Sequence, residues 1–447
     1  MKTNFIKLLF LFFTSAVFSQ AGHIMQGVGA VNMSMGGAAT AQPLDISGAM
    51  QWNPATLSAF DSKILKLDVG LFFSSPELSS SLPAGMLGTG APGVSGTTMD
   101  DRGMSPMPAL AMVWGKEGSK HTFGASAFGI SGFGVTFPEE TNNPLSASFN
   151  PTINSNPINY PQAAGGFGHI ESDYMLLQVG LSYAYEISDK FSIGIQPTVN
   201  YAALELAPNP TANPTTAGYP TTDKASAIGY GAQFGLFYDS GFGLKLGASY
   251  KTAQTFSEFE FTNTYLDNST AKNKFQMDYP AIMSVGLGYS TSDIDFALDF
   301  RRVDYENTEG FEKTGWTQTA SVAGFGWENI SILSAGLQYK GINKLPLRIG
   351  YTYSSNPIPE EITFFNIPAT AIIKNAYQFG FSYIVNDSWK IDAVYHYGDS
   401  SGATEGNMLS PFMASASNPN GVVPGTSIGY EMTTSMIQFG ISYTFNK

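Results

Sequence analysis

Residues 437–445 read IQFGISYTF. Ile437, Phe439, Ile441, Tyr443 and Phe445 are apolar. Gln438, Gly440, Ser442 and Thr444, between them, are polar or small. Successive side chains of a strand point to opposite faces, so this is a strand with one greasy and one wet side. Variants of the phrase recur as QVGLSY (178–183), QFGLFY (233–238), SVGLGY (284–289), SAGLQY (334–339) and QFGFSY (378–383). Their spacing is irregular, which excludes the fixed period of a solenoid or propeller. What repeats is a local rule, and residues 389–397 obey it as well, with Trp389, Ile391, Ala393, Tyr395 and Tyr397 on one face. A half-buried soluble sheet alternates too, so the surrounding solvent must be decided on other grounds.

Three features decide it. The chain begins MKTNFIKLLFLFFTSAVFSQ, with Lys2 and Lys7, the apolar run Leu8–Phe13, and small residues before a cut after Ser19. This is the pattern of a secretory signal peptide, residues 1–19, on an exported protein. No later run of eighteen apolar residues exists to form a transmembrane helix, so a membrane form must be a closed barrel, in which every backbone group is paired. Charged residues are 13%, against about 25% in ordinary soluble domains, while aromatics are also 13% and glycines number 48. That balance suits an outer-membrane barrel with an apolar outer band, aromatic girdles and a lumen of small polar residues. The absence of cysteine excludes disulfides and thiol chemistry, and the net charge of −13 argues against nucleic acid.

Candidate strands lie near 62–75, 105–115, 121–136, 170–187, 190–206, 226–239, 242–258, 274–290, 293–306, 328–340, 345–354, 374–386, 388–399 and 430–445. That is about fourteen, an even number as bacterial single-chain barrels require. Tight turns such as SDK (188–190), DSG (239–241), TSD (291–293) and NDS (386–388) alternate with long Pro-, Asn- and Thr-rich loops. Short turns on one rim and long loops on the other are the outer-membrane arrangement. The fold class is therefore all-β, a transmembrane antiparallel barrel over residues 62–447. Residues 20–61 show no alternation, are rich in Gly and Ala, and are expected to form a hatch, or plug, inside the lumen, with a disordered periplasmic arm as the alternative.

The hatch segment carries GGAATA (36–41), Asp45 and WNPATLS (52–58). With MDYPAIMSVGLGYSTSDIDFALDFRRVDY (277–305) and LPLRIGYTYSSNPIPEEITFFNIP (345–368), it resembles the FadL-type long-chain fatty acid transporters, a family that includes TodX-like aromatic hydrocarbon channels. The resemblance spans nearly the whole mature chain. It implies a fourteen-stranded barrel plugged by an N-terminal hatch, with a kinked third strand opening laterally to lipid. Hydrophobic molecules would pass from an outer groove to a pocket beside the hatch, then diffuse out. It also implies recognition by the barrel assembly machinery through a C-terminal strand ending at Phe445. That aromatic is followed by Asn446 and Lys447 rather than standing last.

The residues bear on this. FGASAFGISGFGV (123–135) holds Gly124, Gly129, Gly132 and Gly134 in one strand, and glycine inside a strand weakens pairing and marks a bend. Gly129, Gly132 and Gly134 are the candidate kink, although lumen-facing glycine is the plainer reading. The motif Asn53-Pro54-Ala55 is either a turn before the first strand or a hatch element whose Asn53 amide bonds backbone groups exposed by a kinked strand. Ile24, Met25, Met33, Met35, Phe128 and Phe133 are the candidate ligand contacts, since methionine adapts to loosely specified apolar ligands. Arg301, Arg302, Arg348, Lys245 or Lys340 could anchor a carboxylate, and nothing in the sequence selects among them. No G-x-S-x-G, His/Cys metal spacing, P-loop or dinucleotide fingerprint occurs. His396 with Asp392 on the same face is the sole hint of an enzyme. The expected protein is a monomeric outer-membrane channel for hydrophobic compounds, foremost long-chain fatty acids, with neither cofactor nor metal. A diffusion porin for polar solutes is the main alternative, and an adhesin or purely structural barrel a further one. The lumen and hatch are expected to be poor in charge.

Overall fold

The computed structural model describes residues 22–445, so the expected signal peptide lies outside the described residues. Fourteen strands form the barrel: β1 Lys63–Leu82, β2 Met104–Trp114, β3 His121–Phe137, β4 Ile170–Ser188, β5 Phe191–Ala207, β6 Ala225–Asp239, β7 Leu244–Lys251, β8 Ala281–Ser290, β9 Ile294–Asp304, β10 Ile330–Tyr339, β11 Leu347–Ser354, β12 Asn375–Ile384, β13 Trp389–Asp399 and β14 Ser427–Thr444. Each pairs antiparallel with its neighbours in sequence, and β1 closes on β14 from Ile64↔Thr444 to Ser81↔Ser427. Closure follows from the solvent, because an open edge in lipid would leave a row of unpaired N–H and C=O groups. Two expected strands are shorter than their patterns, and the eighth, expected from 274, begins at Ala281. The seventh stops at Lys251, and the chain resumes pairing at Thr255–Phe256 against Tyr230 and Gly229 of β6.

Side chains alternate as the sequence anticipates. Leu67, Val69, Leu181, Phe234, Leu246, Val285, Phe379 and Ile441 are exposed on the outer face. Tyr230, Tyr250, Tyr289, Tyr383, Trp389 and Tyr395 supply exposed aromatics.

Residues 22–59 pack inside the barrel. Helix α1 (Ala30–Ser34) lies against β11–β14, and a 3-10 helix, Pro54–Ala59, against β4–β6. Between them, α2 (Ile46–Trp52) begins at Asp45, whose carboxylate accepts from Gly48 N–H at 3.0 Å, a standard N-cap. The backbone approaches the wall closely. Gly36 sits at φ +67°, and a Cβ there would lie 2.6 Å from the carbonyl of Tyr351, so only glycine fits.

The lumen is not poor in charge, contrary to expectation. Lys66 points inward from β1, only 1% exposed, with Asp45 at 2.7 Å, Asp392 at 3.0 Å and Asp68 at 3.6 Å. Asp68 also accepts from the N–H of Ala30 at 2.9 Å. On β9, Asp299 accepts from Ala39 N–H, Thr40 N–H and the Thr40 hydroxyl. Arg301 pairs with Asp299 at 2.6 Å, donates to Gly37 O, and lies 3.7 Å over the Trp52 ring. Low overall charge hid these groups because few strands carry them, as an inward pair on β1 (Lys66, Asp68) and on β9 (Asp299, Arg301) and a single Asp392 on β13. They exist to satisfy the backbone of the enclosed segment. Removing one member of such a buried cluster strands its partners. Lys66→Ala should cost about 3–5 kcal/mol and free residues 28–50. Amide exchange should rise across α1 and α2 while the barrel ladder stays protected; equal exchange throughout would contradict this role.

Candidate functional site

Among the described residues, the pairing of β2 with β3 stops well short of the ends of both strands. β3 pairs with β2 from Trp114↔Phe123 to Ala109↔Phe128, and there the ladder ends. β2 stays in the wall, since Met104–Pro108 continue in register with β1. It is β3 that leaves. A bulge at Ile130, between Gly129↔Leu177 and Ser131↔Leu176, turns its upper half inward while it remains paired to β4. The freed edge of β2 carries Pro106 and Pro108, which have no N–H to leave unsatisfied.

The freed edge of β3 is covered by the enclosed segment. Ile24 bridges to Ser131, Met25 N–H donates to Ile130 O at 3.0 Å, and Gly132 N–H donates to His23 O at 3.2 Å. The Ser131 hydroxyl also donates to His23 O, at 2.9 Å. Residues 23–25 thus act as a one-bridge substitute strand. Above the gap, Thr136 N–H donates to Asp100 at 2.6 Å, and Arg102 crosses to Asp173 and Ser172 O. Gly134 is needed there, because a Cβ would stand 2.6 Å from Ser172 O and overlap the Arg102 guanidinium.

Behind the gap lies a cavity of about 300 Å³. Its floor and walls come from Met25, Met104, Pro106, Met107, Phe133 and Tyr174, with Met175 and Met432 beside them. Arg102 and Asp173 line it too but neutralise each other. Deeper in, His23 is enclosed by Phe133, Tyr174, Tyr279, Tyr305, Phe311 and Trp327, with ring centroids 5.0–6.4 Å away. Its Nδ1 meets the Tyr305 hydroxyl at 2.8 Å. Burial pushes its pKa down to about 3, so the imidazole is neutral.

The expected site residues separate into two groups. Met25, Phe133, Gly132 and Gly134 line the cavity, and Ile24 forms the bridge beside it. Gly129 stands at the bulge, where a Cβ would face Met107 at 3.4 Å. Phe128 is buried in the main core and does not line the cavity. Met33 packs with Ala30, Val394 and Met436, and Met35 with Ala38 and Ala297, so both hold the segment in place. Asn53 does not serve the kinked strand. Its amide donates to Thr40 O at 2.7 Å and Leu236 O on β6 at 2.9 Å, while its Oδ1 accepts from Ala55 N–H and starts the 3-10 helix at Pro54. His23 and Met25 perform the role expected of it, because the kink bends toward their end of the segment. None of Arg301, Arg302, Arg348, Lys245 and Lys340 lines the cavity; the cation there is Arg102. Asp392 is held by Lys66 and Ser382, whereas His396 meets Gln378. The missed residues had one legible signal, the MSPMP run at 104–108, whose alternate prolines suit an edge rather than a central strand.

A family model for outer membrane protein transport proteins (OMPP1/FadL/TodX) matches residues 158–445. The chain belongs to this family. The match covers β4–β14, leaving the kinked strand and the hatch outside it. The family is one of transport proteins rather than enzymes, and its members are outer-membrane proteins. Solved structures share the fold. A Pseudomonas aeruginosa FadL homologue matches with TM-score 0.71 at 14% identity, covering 95% of this chain and 100% of that one. The Pseudomonas putida toluene transporter TodX gives 0.65 at 17%, covering 94% and 99%. The Ralstonia pickettii toluene transporter TbuX gives 0.62 at 17%, also covering 94% and 99%. No curated protein matches at the sequence level.

His23 supplies a pH test of the site. Its folded pKa lies below the unfolded value of about 6.5, so its contribution is complete above that pH and is lost as pH falls toward about 3. The Tm of wild type should drop more steeply between these limits than that of His23→Gln. Parallel Tm–pH curves would show that His23 is not buried as described.

Proposed function

We propose that this OMPP1/FadL/TodX-family protein is a channel for passive, diffusion-driven uptake of hydrophobic compounds, with long-chain fatty acids as the leading cargo. The cargo reaches the cavity beside residues 22–25 and leaves sideways to lipid through the break between β2 and β3. The observation that carries this reading is the coincidence of the two features. The apolar cavity, at the lower end of the size range of small-molecule pockets, adjoins the one interval where a β3 edge is released from its β2 neighbour. Its methionines, Met25, Met104, Met107, Met175 and Met432, suit flexible apolar ligands. The names of the relatives, a FadL homologue and toluene transporters, support a hydrophobic cargo. Against a porin for polar solutes stands the lumen, where residues 22–59 are hydrogen-bonded to the wall. In this reading Met25 and Phe133 are ligand contacts, Gly129, Gly132 and Gly134 form the kink, and Asn53, Pro54 and Ala55 anchor the hatch. The protein acts as a monomer within outer-membrane lipid, and β14 with Phe445 is the segment offered to the assembly machinery.

The test is a tryptophan at Gly129, whose side chain would enter the gap toward Met107 and Pro108. Uptake of a fluorescent fatty acid into proteoliposomes should fall at least roughly tenfold, with the folded, heat-modifiable barrel retained on SDS gels. Unchanged uptake in Gly129→Trp would remove the lateral route. Passage of small sugars through wild type, without fatty acid uptake, would restore the porin.

A further inference from the structure

The chain entering β2 carries an irregularity of its own. Phe73 of β1 pairs with Met104 and Glu77 with Met99, so residues 74–76 face the longer stretch 100–103. The extra residue makes a bulge. Gly103 allows it, at φ +78°, and a Cβ there would meet nothing within 4 Å. The bulge leans toward β3. Asp101 N–H donates to Thr136 O at 2.8 Å, and the Asp100 carboxylate accepts from Thr136 N–H and from Arg102 N–H. From the bulge Arg102 reaches on to β4, where it donates to Ser172 O at 2.7 Å and pairs with Asp173. Its guanidinium occupies the place where a Cβ of residue 134 would stand, so Gly134 is its seat. This side chain therefore joins the β2 edge to β4 above the interval where β2 and β3 are unpaired.

The tie is built to be released. Asp173 is shared, because its other oxygen accepts from Lys224, which also stands 3.7 Å from Glu205. With Arg102 swung away, Asp173 keeps Lys224, and Arg102 keeps Asp100 and Asp101 beside it in the chain. Neither charge is stranded, which is what makes breaking a buried pair costly. The Arg102 and Asp173 side chains are 17% and 25% exposed, where ion pairs are weaker than in a dry interior. Both line the cavity, together with Met104 and Met175, which are exposed on the outer face. Separating Arg102 from Asp173 thus widens the cavity on its lipid-facing side.

We propose that Arg102 is a latch on the lateral exit: it ties the bulge at residues 100–103 to Asp173 and Ser172 O, and cargo leaves when the tie is released. This rests on the lateral-exit reading and adds a gate to it. The bulge is the moving strap, Gly103 its hinge, and Lys224 the partner that holds Asp173 while the latch is open.

Uptake of a fluorescent fatty acid into proteoliposomes is followed for the full-length protein and its variants. Arg102→Met should take up cargo at least roughly threefold faster than wild type, as expected where opening limits passage, with the folded, heat-modifiable barrel retained. The chain has no cysteine, so thiols placed by Arg102→Cys and Asp173→Cys can be bridged selectively with a reductant-cleavable bifunctional reagent. The double variant should be fast when reduced, blocked when bridged and fast again after cleavage, while neither single variant responds. Uptake in Arg102→Met at or below the wild-type rate, with the barrel folded, overturns the latch, as does flux that the bridge leaves unchanged. If Arg102→Met does not fold, Asp173→Asn, which keeps the side chain's shape without its charge, decides by the same criterion. If Gly129→Trp blocks uptake and Arg102→Met leaves it unchanged, the latch fails and the lateral exit stands. If Gly129→Trp does not block it, or wild type takes up nothing, both fail.

Discussion

Everything in this molecule follows from one constraint, that no backbone N–H or C=O goes unpaired where lipid replaces water. The constraint explains closure of β1 on β14 along eighteen residue pairs. It makes the one departure informative. Where β3 leaves β2 at Gly129, the orphaned edges are treated three ways: prolines on β2 remove donors, residues 23–25 bond the edge of β3, and the Asp100–Arg102 turn closes the top. The edges so treated keep the barrel intact beside a cavity lined in part by methionine side chains.

The same accounting governs the interior. A segment with two short, buried helices has many terminal N–H groups that need partners within the protein. The barrel answers with carboxylates placed singly on its inner face, Asp68 for Ala30 and Asp299 for Ala39 and Thr40, each balanced by a cation from the wall. The hatch is therefore bound by charge-assisted bonds over residues 30–47, while its first residues hold β3 by a few backbone and hydroxyl bonds.

Much of this was legible beforehand. The number of strands, their alternation and the rims of short and long connections follow from a period of two and from turn residues, both local properties. The glycines of 123–135 lie in the strand whose register shifts between Gly129 and Ser131. The motif points to Asn53 but not to its partners, because its amide turns to Thr40 and Leu236, contacts separated from it by as many as 183 positions. Phe128, Met33 and Met35 were apolar residues in the right segments, and only packing could show that they face the core rather than the cavity.

The sequence by itself determined that this chain must close into an all-antiparallel barrel with an apolar exterior, because alternation and composition leave lipid as the only consistent solvent. Tertiary structure decided the rest. Which inward residues meet depends on strand tilt and register around a closed wall, so Lys66 could find Asp392 across the closure. Such meetings join positions hundreds of residues apart, and no local pattern encodes them.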